Sequence, residues 1–394
     1  MMTRRIFIIS QHGYGLGHLS RSSALAAALQ SCGDYEVTLF SGGQPIAAYI
    51  PPKKVDFVQL PPTRFITLTE TKTLACESMD DDKSIEQVDE LRSEIIMRYF
   101  HRLKPSAVIT EYYPFAPERF GKTLDALLSA SREEKSRCKM ICSIRSVPID
   151  ATLASPMDVN HLLHKYYDHV LHHADKRLFS IDSLGDYVRL ALDSVPCTQT
   201  GFICQHLPVQ TADIRNDGGL LLSVGGGRDG YTYLQSWIEA LKSVSIDNFF
   251  PVTVLCGPLM PASEVNELRT LIDERFNLYT TLVDTGELMR KACAVVSMSG
   301  YNTINEVLHI GKPLLAFPRK GYLEQEMHVR SYFEKGLLLS GEEADSTDQI
   351  ADLMRQLASF NPSFTPDFNG SESSVDVISS ILGNTETSDI SGQV

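Results

Sequence analysis

The chain has 394 residues, too long for one ordinary core and suited to two α/β domains of roughly 200 residues each. Its composition, 43% hydrophobic and 22% charged, is that of an ordinary globular protein. A net charge of -13 argues against nucleic acid and anionic membrane as partners, and no apolar run is long enough to span a bilayer.

None of the eight cysteines forms a C-x-x-C pair, and several lie in apolar strand-like runs, which reads as reduced thiols in a cytoplasmic enzyme. No signal peptide is expected, because only Ile6–Ser10 separates the basic start from Gln11.

The first half opens with a strand, Ile6–Ser10, a glycine-rich loop, Gln11 to Gly17, and a helix over Leu19–Leu29. A strand over Glu36–Phe40 completes a βαβ unit, the signature of a parallel sheet covered on both faces. Further buried strands are expected at Ala107–Ile109, Met140–Ile144 and Leu178–Ile181. Between Asp80 and Arg102 an acidic run leads into an amphipathic helix, with Ile85, Val88, Leu91, Ile95 and Tyr99 at helical spacing. The histidines of His161–His173 fall at helical spacing too, but no acidic or cysteine partner goes with them, so no metal site is expected.

Leu207–Asp217 is polar and reads as a linker between an amino-terminal domain, 1–206, and a carboxy-terminal one, 218–382; residues 383–394 read as a disordered tail. The second domain restarts the βα pattern with Leu220–Val224, followed by a helix over Tyr231–Leu241 and a strand over Val252–Leu255. A helix near Glu264–Arg275 and strands at Leu278–Leu282 and Ala294–Val296 follow.

Three loops carry the candidate chemistry. His12-Gly13-Tyr14-Gly15-Leu16-Gly17-His18 runs into a helix start, where glycines let a ligand approach and free N–H groups favour an anion. Its G-x-G-x-G spacing, with no acidic residue ending the next strand, weakens a nicotinamide-dehydrogenase reading. The helix dipole at His18 disfavours the imidazolium, which suits a neutral general base. Glu111, at the end of its own strand, is the next candidate base. The second loop, Gly225-Gly226-Gly227-Arg228, gives up regular structure for close approach, and Arg228 is suited to a diphosphate. The third is Ser299-Gly300-Tyr301-Asn302-Thr303-Ile304-Asn305-Glu306. Small polar residues leave its helix N–H groups open to phosphate, and Glu306 lies one turn on, placed to accept from two ribose hydroxyls. Glu324-Gln325 and His328 follow, at the carboxyl end of a further strand.

On these residues the chain resembles the GT-B glycosyltransferases, most nearly the group of the peptidoglycan N-acetylglucosaminyltransferase and related enzymes with a G-x-G-H-x-x-R start. Ser299, Gly300, Thr303 and Glu306 match that group's S-G-x-x-T-x-x-E stretch, and Gly17-His18-x-x-Arg21 matches its amino-terminal loop. Glu324-Gln325 stands where the group has Asp-Gln, and His328 where it has Asn. The resemblance implies two doubly wound, Rossmann-like α/β domains facing across a cleft. It implies a nucleotide-sugar donor, most simply UDP-linked, held by Gly17, Gly225, Gly226, Gly227, Arg228, Ser299, Gly300, Asn302, Thr303, Glu306, Glu324 and Gln325. His18 would serve as base in an inverting, metal-independent transfer to a hydroxyl acceptor, with no cofactor. The same scaffold suits a nucleotide-sugar hydrolase or 2-epimerase, or a non-catalytic nucleotide-binding subunit. Acceptor and oligomeric state stay open, as does peripheral contact with a membrane or partner protein.

Overall fold

The architecture is that of a computed structural model, which describes residues 3–12, 17–46, 49–67, 74–133, 138–148, 155–204, 218–243, 249–280, 285–298 and 300–383. The chain divides into two compact units: one of 1–176, 181–203 and 369–394, the other of 177–180 and 204–368.

In the first unit the Ile-rich run near the amino terminus forms β1 (Arg4–Ser10), leading through α1 (Gly17–Ser31) to β2 (Tyr35–Ser41) and β3 (Asp56–Gln59). A hairpin of β4 (Thr63–Thr67) and β5 (Leu74–Ser78) precedes α2 (Ile85–Leu103), whose start is fixed by a capping box between Ser84 and Gln87. Then come β6 (Ala107–Glu111), α3 (Asp125–Ser131), β7 (Lys139–Arg145), α4 (Pro156–Tyr166), β8 (His169–His173), α5 (Asp186–Leu192) and β9 (Cys197–Gln199). Seven strands make one sheet in the order β3-β2-β1-β6-β7-β8-β9, every pair parallel. The order reverses between β1 and β6, which makes their carboxyl ends the topological switch point, where open α/β sheets bind ligands.

The second unit repeats the plan. Its elements are β10 (Leu220–Ser223), α6 (Tyr231–Ser243), β11 (Val252–Leu255), α7 (Ala262–Leu271), β12 (Phe276–Tyr279), α8 (Thr285–Lys291) and β13 (Ala294–Met298). They continue as α9 (Tyr301–His309), β14 (Leu314–Phe317), α10 (Leu323–Glu334), β15 (Leu339–Ser340) and α11 (Thr347–Leu357). The parallel sheet runs β12-β11-β10-β13-β14-β15, with its switch point between β10 and β13. Leu222, Val254, Val296 and Leu315 from four strands pack with Met354 and Trp237, the one tryptophan of the chain, in this core.

The strand expected over Leu278–Leu282 is β12, beginning two residues earlier, the β4–β5 hairpin is not among the expected elements, and three larger details also differ. The last helix, α12 (Gly370–Ile381), belongs to the first unit rather than to a 218–382 domain. Ile378 is fully buried with Leu25, Leu29 and Ile203, and Tyr35 Oη lies 2.8 Å from Ser379 Oγ. Gly370 permits this return: a side chain there would meet the Gly201 carbonyl at 2.5 Å. Second, Leu178–Ile181 is not a strand, because its apolar residue Phe179 is used against His328 and Tyr332 of the second unit instead of in a sheet. Third, the histidine stretch is not one helix. Tyr167 ends α4, and His169, His172 and His173 follow on β8, with strand rather than helical spacing. The expected linker, 207–217, lies outside the described residues, and so does the tail from 384 onward.

Candidate functional site

The first unit gathers a charged group at its switch point. His18 and Arg21 stand three residues apart on α1, so both face the same neighbour, the end of β6. That neighbour is Glu111, 2% exposed. One carboxylate oxygen is 2.7 Å from His18 Nδ1, and the other is ion-paired with Arg21 Nη2. Arg21 is as withdrawn from water as Glu111, so the buried carboxylate is matched by a buried cation. With Nδ1–H donating to Glu111, the His18 lone pair is on Nε2. Burial holds the His18 pKa well below the usual imidazole value, and the positive charges of Arg119, Arg145 and Arg21 add to the effect. His18 is therefore neutral at pH 7.

Tyr112, next in sequence to Glu111, is fully buried in the left-handed region at φ 66°. Its ring lies edge-on to His18 and beneath two guanidiniums, Arg119 at 5.0 Å and Arg145 at 4.8 Å. Arg119 Nη1 is 3.0 Å from His18 Nε2. His12 is buried, with Nε2 2.9 Å from the Gln44 carbonyl, and burial lowers its pKa as well. Gly17 opens α1 beside His18, while residues 13–16 of the glycine loop lie outside the described residues.

The second unit brings its predicted residues to the carboxyl ends of β10, β13 and β14. The Gly225–Arg228 turn follows β10, with Gly225, Gly226 and Arg228 exposed. Gly227 is buried at φ 88°, and a side chain there would meet the Cys256 carbonyl at 2.0 Å. It seats the loop against β11. Gly300 caps α9 with no side-chain hydrogen bond, so the N–H groups of Tyr301, Asn302 and Thr303 lead the helix, as an anion requires. Glu306 is one turn further, and burial pushes its carboxyl pKa up to about 7. Ser299 lies outside the described residues.

At the start of α10, Gln325 Oε1 accepts from the Arg319 backbone N–H at 3.1 Å, and Arg319 reaches Asp229 at 3.4 Å. The turns after β10 and β14 are thereby tied together. Glu324 Oε1 is 3.8 Å from His328 Nδ1. His328 itself is buried among Tyr301, Phe179 and Tyr332, a packing position.

Arg119, Arg145 and Tyr112 lie outside the three motif loops, and Glu111 is the second candidate base. One signal is present: Glu111 and Arg145 are charged residues at the carboxyl ends of largely buried strands. Among the described residues no group of histidines, cysteines and acids could hold a metal ion, and no helix is long and apolar enough to cross a membrane.

The glycosyltransferase family 28 C-terminal domain matches residues 221–374. An uncharacterized glycosyltransferase of Methanosarcina mazei is 29% identical over 98 residues, which is 25% of this chain and 25% of that protein. The match thus spans about a quarter of the length of that curated relative. Among solved structures, Acinetobacter baumannii MurG aligns over 96% of this chain and 99% of its own at TM-score 0.57 and 14% identity. Phytolacca americana UGT2, complexed with UDP-2fluoro-glucose and pterostilbene, aligns over 99% and 96% at TM-score 0.58 and 15% identity. Residues 221–374 thus match the glycosyltransferase family 28 C-terminal domain, and the chain as a whole has the two-domain GT-B fold.

Proposed function

We propose that the protein transfers a sugar from a UDP-sugar to a hydroxyl acceptor, with inversion and without a metal. The observation that carries this reading is the buried His18–Glu111 pair at the first unit's switch point: a neutral imidazole with its tautomer set by a carboxylate is the arrangement a general base needs. The family-28 match and the UDP-sugar in the related plant structure support the donor. In this scheme the acceptor oxygen attacks the anomeric carbon and its proton passes to His18 Nε2. The bond from that carbon to the diphosphate oxygen breaks, and the electron pair leaves with UDP. Glu111 stays ionised and stabilises the imidazolium, Arg21 holding it in place. The leaving diphosphate is met by the N–H groups that lead α9 and by Arg228, while Glu306 takes the ribose and Glu324-Gln325 the sugar. Gly17, Gly225 and Gly226 leave room for the backbone to approach the ligand.

The test is a donor and acceptor screen on the unaltered protein and on His18→Ala. Turnover is expected to fall about 10²–10⁴-fold in the variant, with UDP affinity by calorimetry nearly unchanged. Equal turnover, or a lost UDP affinity, removes His18 as the base. Rapid release of free sugar from the donor without any acceptor would assign the site to hydrolysis.

A further inference from the structure

We infer that Arg119 covers the base in the free protein, and that the acceptor hydroxyl is carried beside an oxyanion, a phosphate or carboxylate, which draws Arg119 aside. The inference rests on the reading of His18 as the base. The lone pair on His18 Nε2 is the one an acceptor hydroxyl must reach, and Arg119 Nη1 stands 3.0 Å from it. A neutral alcohol would exchange a charge-assisted hydrogen bond for a neutral one. An anion offers the guanidinium a stronger partner than imidazole, an ionised oxygen that accepts in a fork.

The surroundings suit such a movement. Arg119 ends a single short turn, Pro117–Arg119, and its guanidinium rests on the ring faces of Tyr112 and Phe65, at 5.0 and 5.2 Å. A planar cation slides across such faces without losing all of its contact. Arg145 lies over the same Tyr112 ring and supplies a second cation within electrostatic reach of His18. Pairing Arg119 with an anion has a further effect. Its charge is the largest of those that depress the basicity of His18, so neutralising it strengthens the base as it uncovers it. The acceptor's own charge would then select for acceptors that bear one, and neutral alcohols would be poor substrates.

The experiment reads the accessibility of Nε2 directly. Diethyl pyrocarbonate acylates unprotonated imidazole, and mass spectrometry of the peptide that holds His18 gives its rate, with exposed His161 as internal reference. In the unaltered protein His18 should label at least about tenfold more slowly than His161, as expected for a base covered by a charge-assisted hydrogen bond. Inorganic pyrophosphate should raise the His18 rate while leaving His161 alone, at ionic strength held constant with sodium chloride. Malonate in a parallel arm separates the sources: response to pyrophosphate alone assigns a phosphate, to malonate alone a carboxylate, to both an oxyanion in general. Arg119→Leu should label fast and ignore both anions. If His18 labels as fast as His161 in the free protein, or neither anion changes its rate, the inference fails. The anion arms use unaltered protein, so they decide the matter even if the variant does not fold. Labelling needs no sugar transfer, so a failed transferase reading leaves this readout untouched.

Discussion

Two carboxylates, Glu111 and Glu306, sit in opposite surroundings. Glu111 is buried against a cation and an N–H donor, so its charge is matched within the fold. Glu306 is withdrawn from water, which pushes its pKa up to about 7, so near neutral pH much of it carries a proton. A ribose held by two hydroxyl donors needs the ionised form. UDP binding should therefore release a proton and weaken as pH falls below 7, toward tenfold per pH unit once Glu306 is mostly protonated. Calorimetry at pH 6 and pH 8 measures this. Glu306→Ala should cost about 1–3 kcal/mol of UDP affinity at pH 8 and flatten the pH dependence. An unchanged affinity would remove Glu306 from the nucleotide site.

At the scale of elements, the glycine turn after β10 divides its labour. Gly227 combines a positive φ with a carbonyl against its missing side chain, whereas Gly225, at φ 60°, has nothing within 4 Å of a side chain placed there. Gly227→Ala should cost more than the roughly 1–3 kcal/mol that a strained backbone position carries, and Gly225→Ala about 1 kcal/mol. Thermal unfolding of the two variants checks the order, and an equal loss would deny Gly227 its seating role. Periodicity made the βα alternation legible, and the strands beginning at Ala107, Val252 and Ala294 lie where apolar runs place them. The hairpin of β4 and β5 is not legible in the sequence because Thr63–Thr67 and Leu74–Ser78 are short and mixed in polarity. The same holds for the site. Motif spacing points to His18, Gly300 and Glu306, each within one βα turn. Arg119 comes to His18 from the turn after β6 and Arg145 from the end of β7, and local sequence holds no record of that meeting.

For the whole molecule, the buried histidines lie unevenly. Burial holds His12, His18, His172 and His173 of the first unit below the usual value, His172 at about 4. The unfolded chain takes up protons near pH 6.5, the folded unit only lower down. Stability is thus full above pH 6.5 and is lost as pH falls toward 4, on the order of 3 kcal/mol from His172 alone. Trp237 sits in the other core and reports on that unit separately. Circular dichroism should show partial acid unfolding before Trp237 fluorescence changes, and coincident transitions would contradict it. The returning helix α12 carries a consequence of another kind. While the chain is being synthesised, the first unit has all its strands long before Ile378 exists, and the second unit must emerge in between. The nascent first unit therefore waits with an open apolar groove along Leu25 and Leu29, a ready target for chaperones. A ribosome that stops early leaves that groove uncovered for good, marking the unfinished product for degradation.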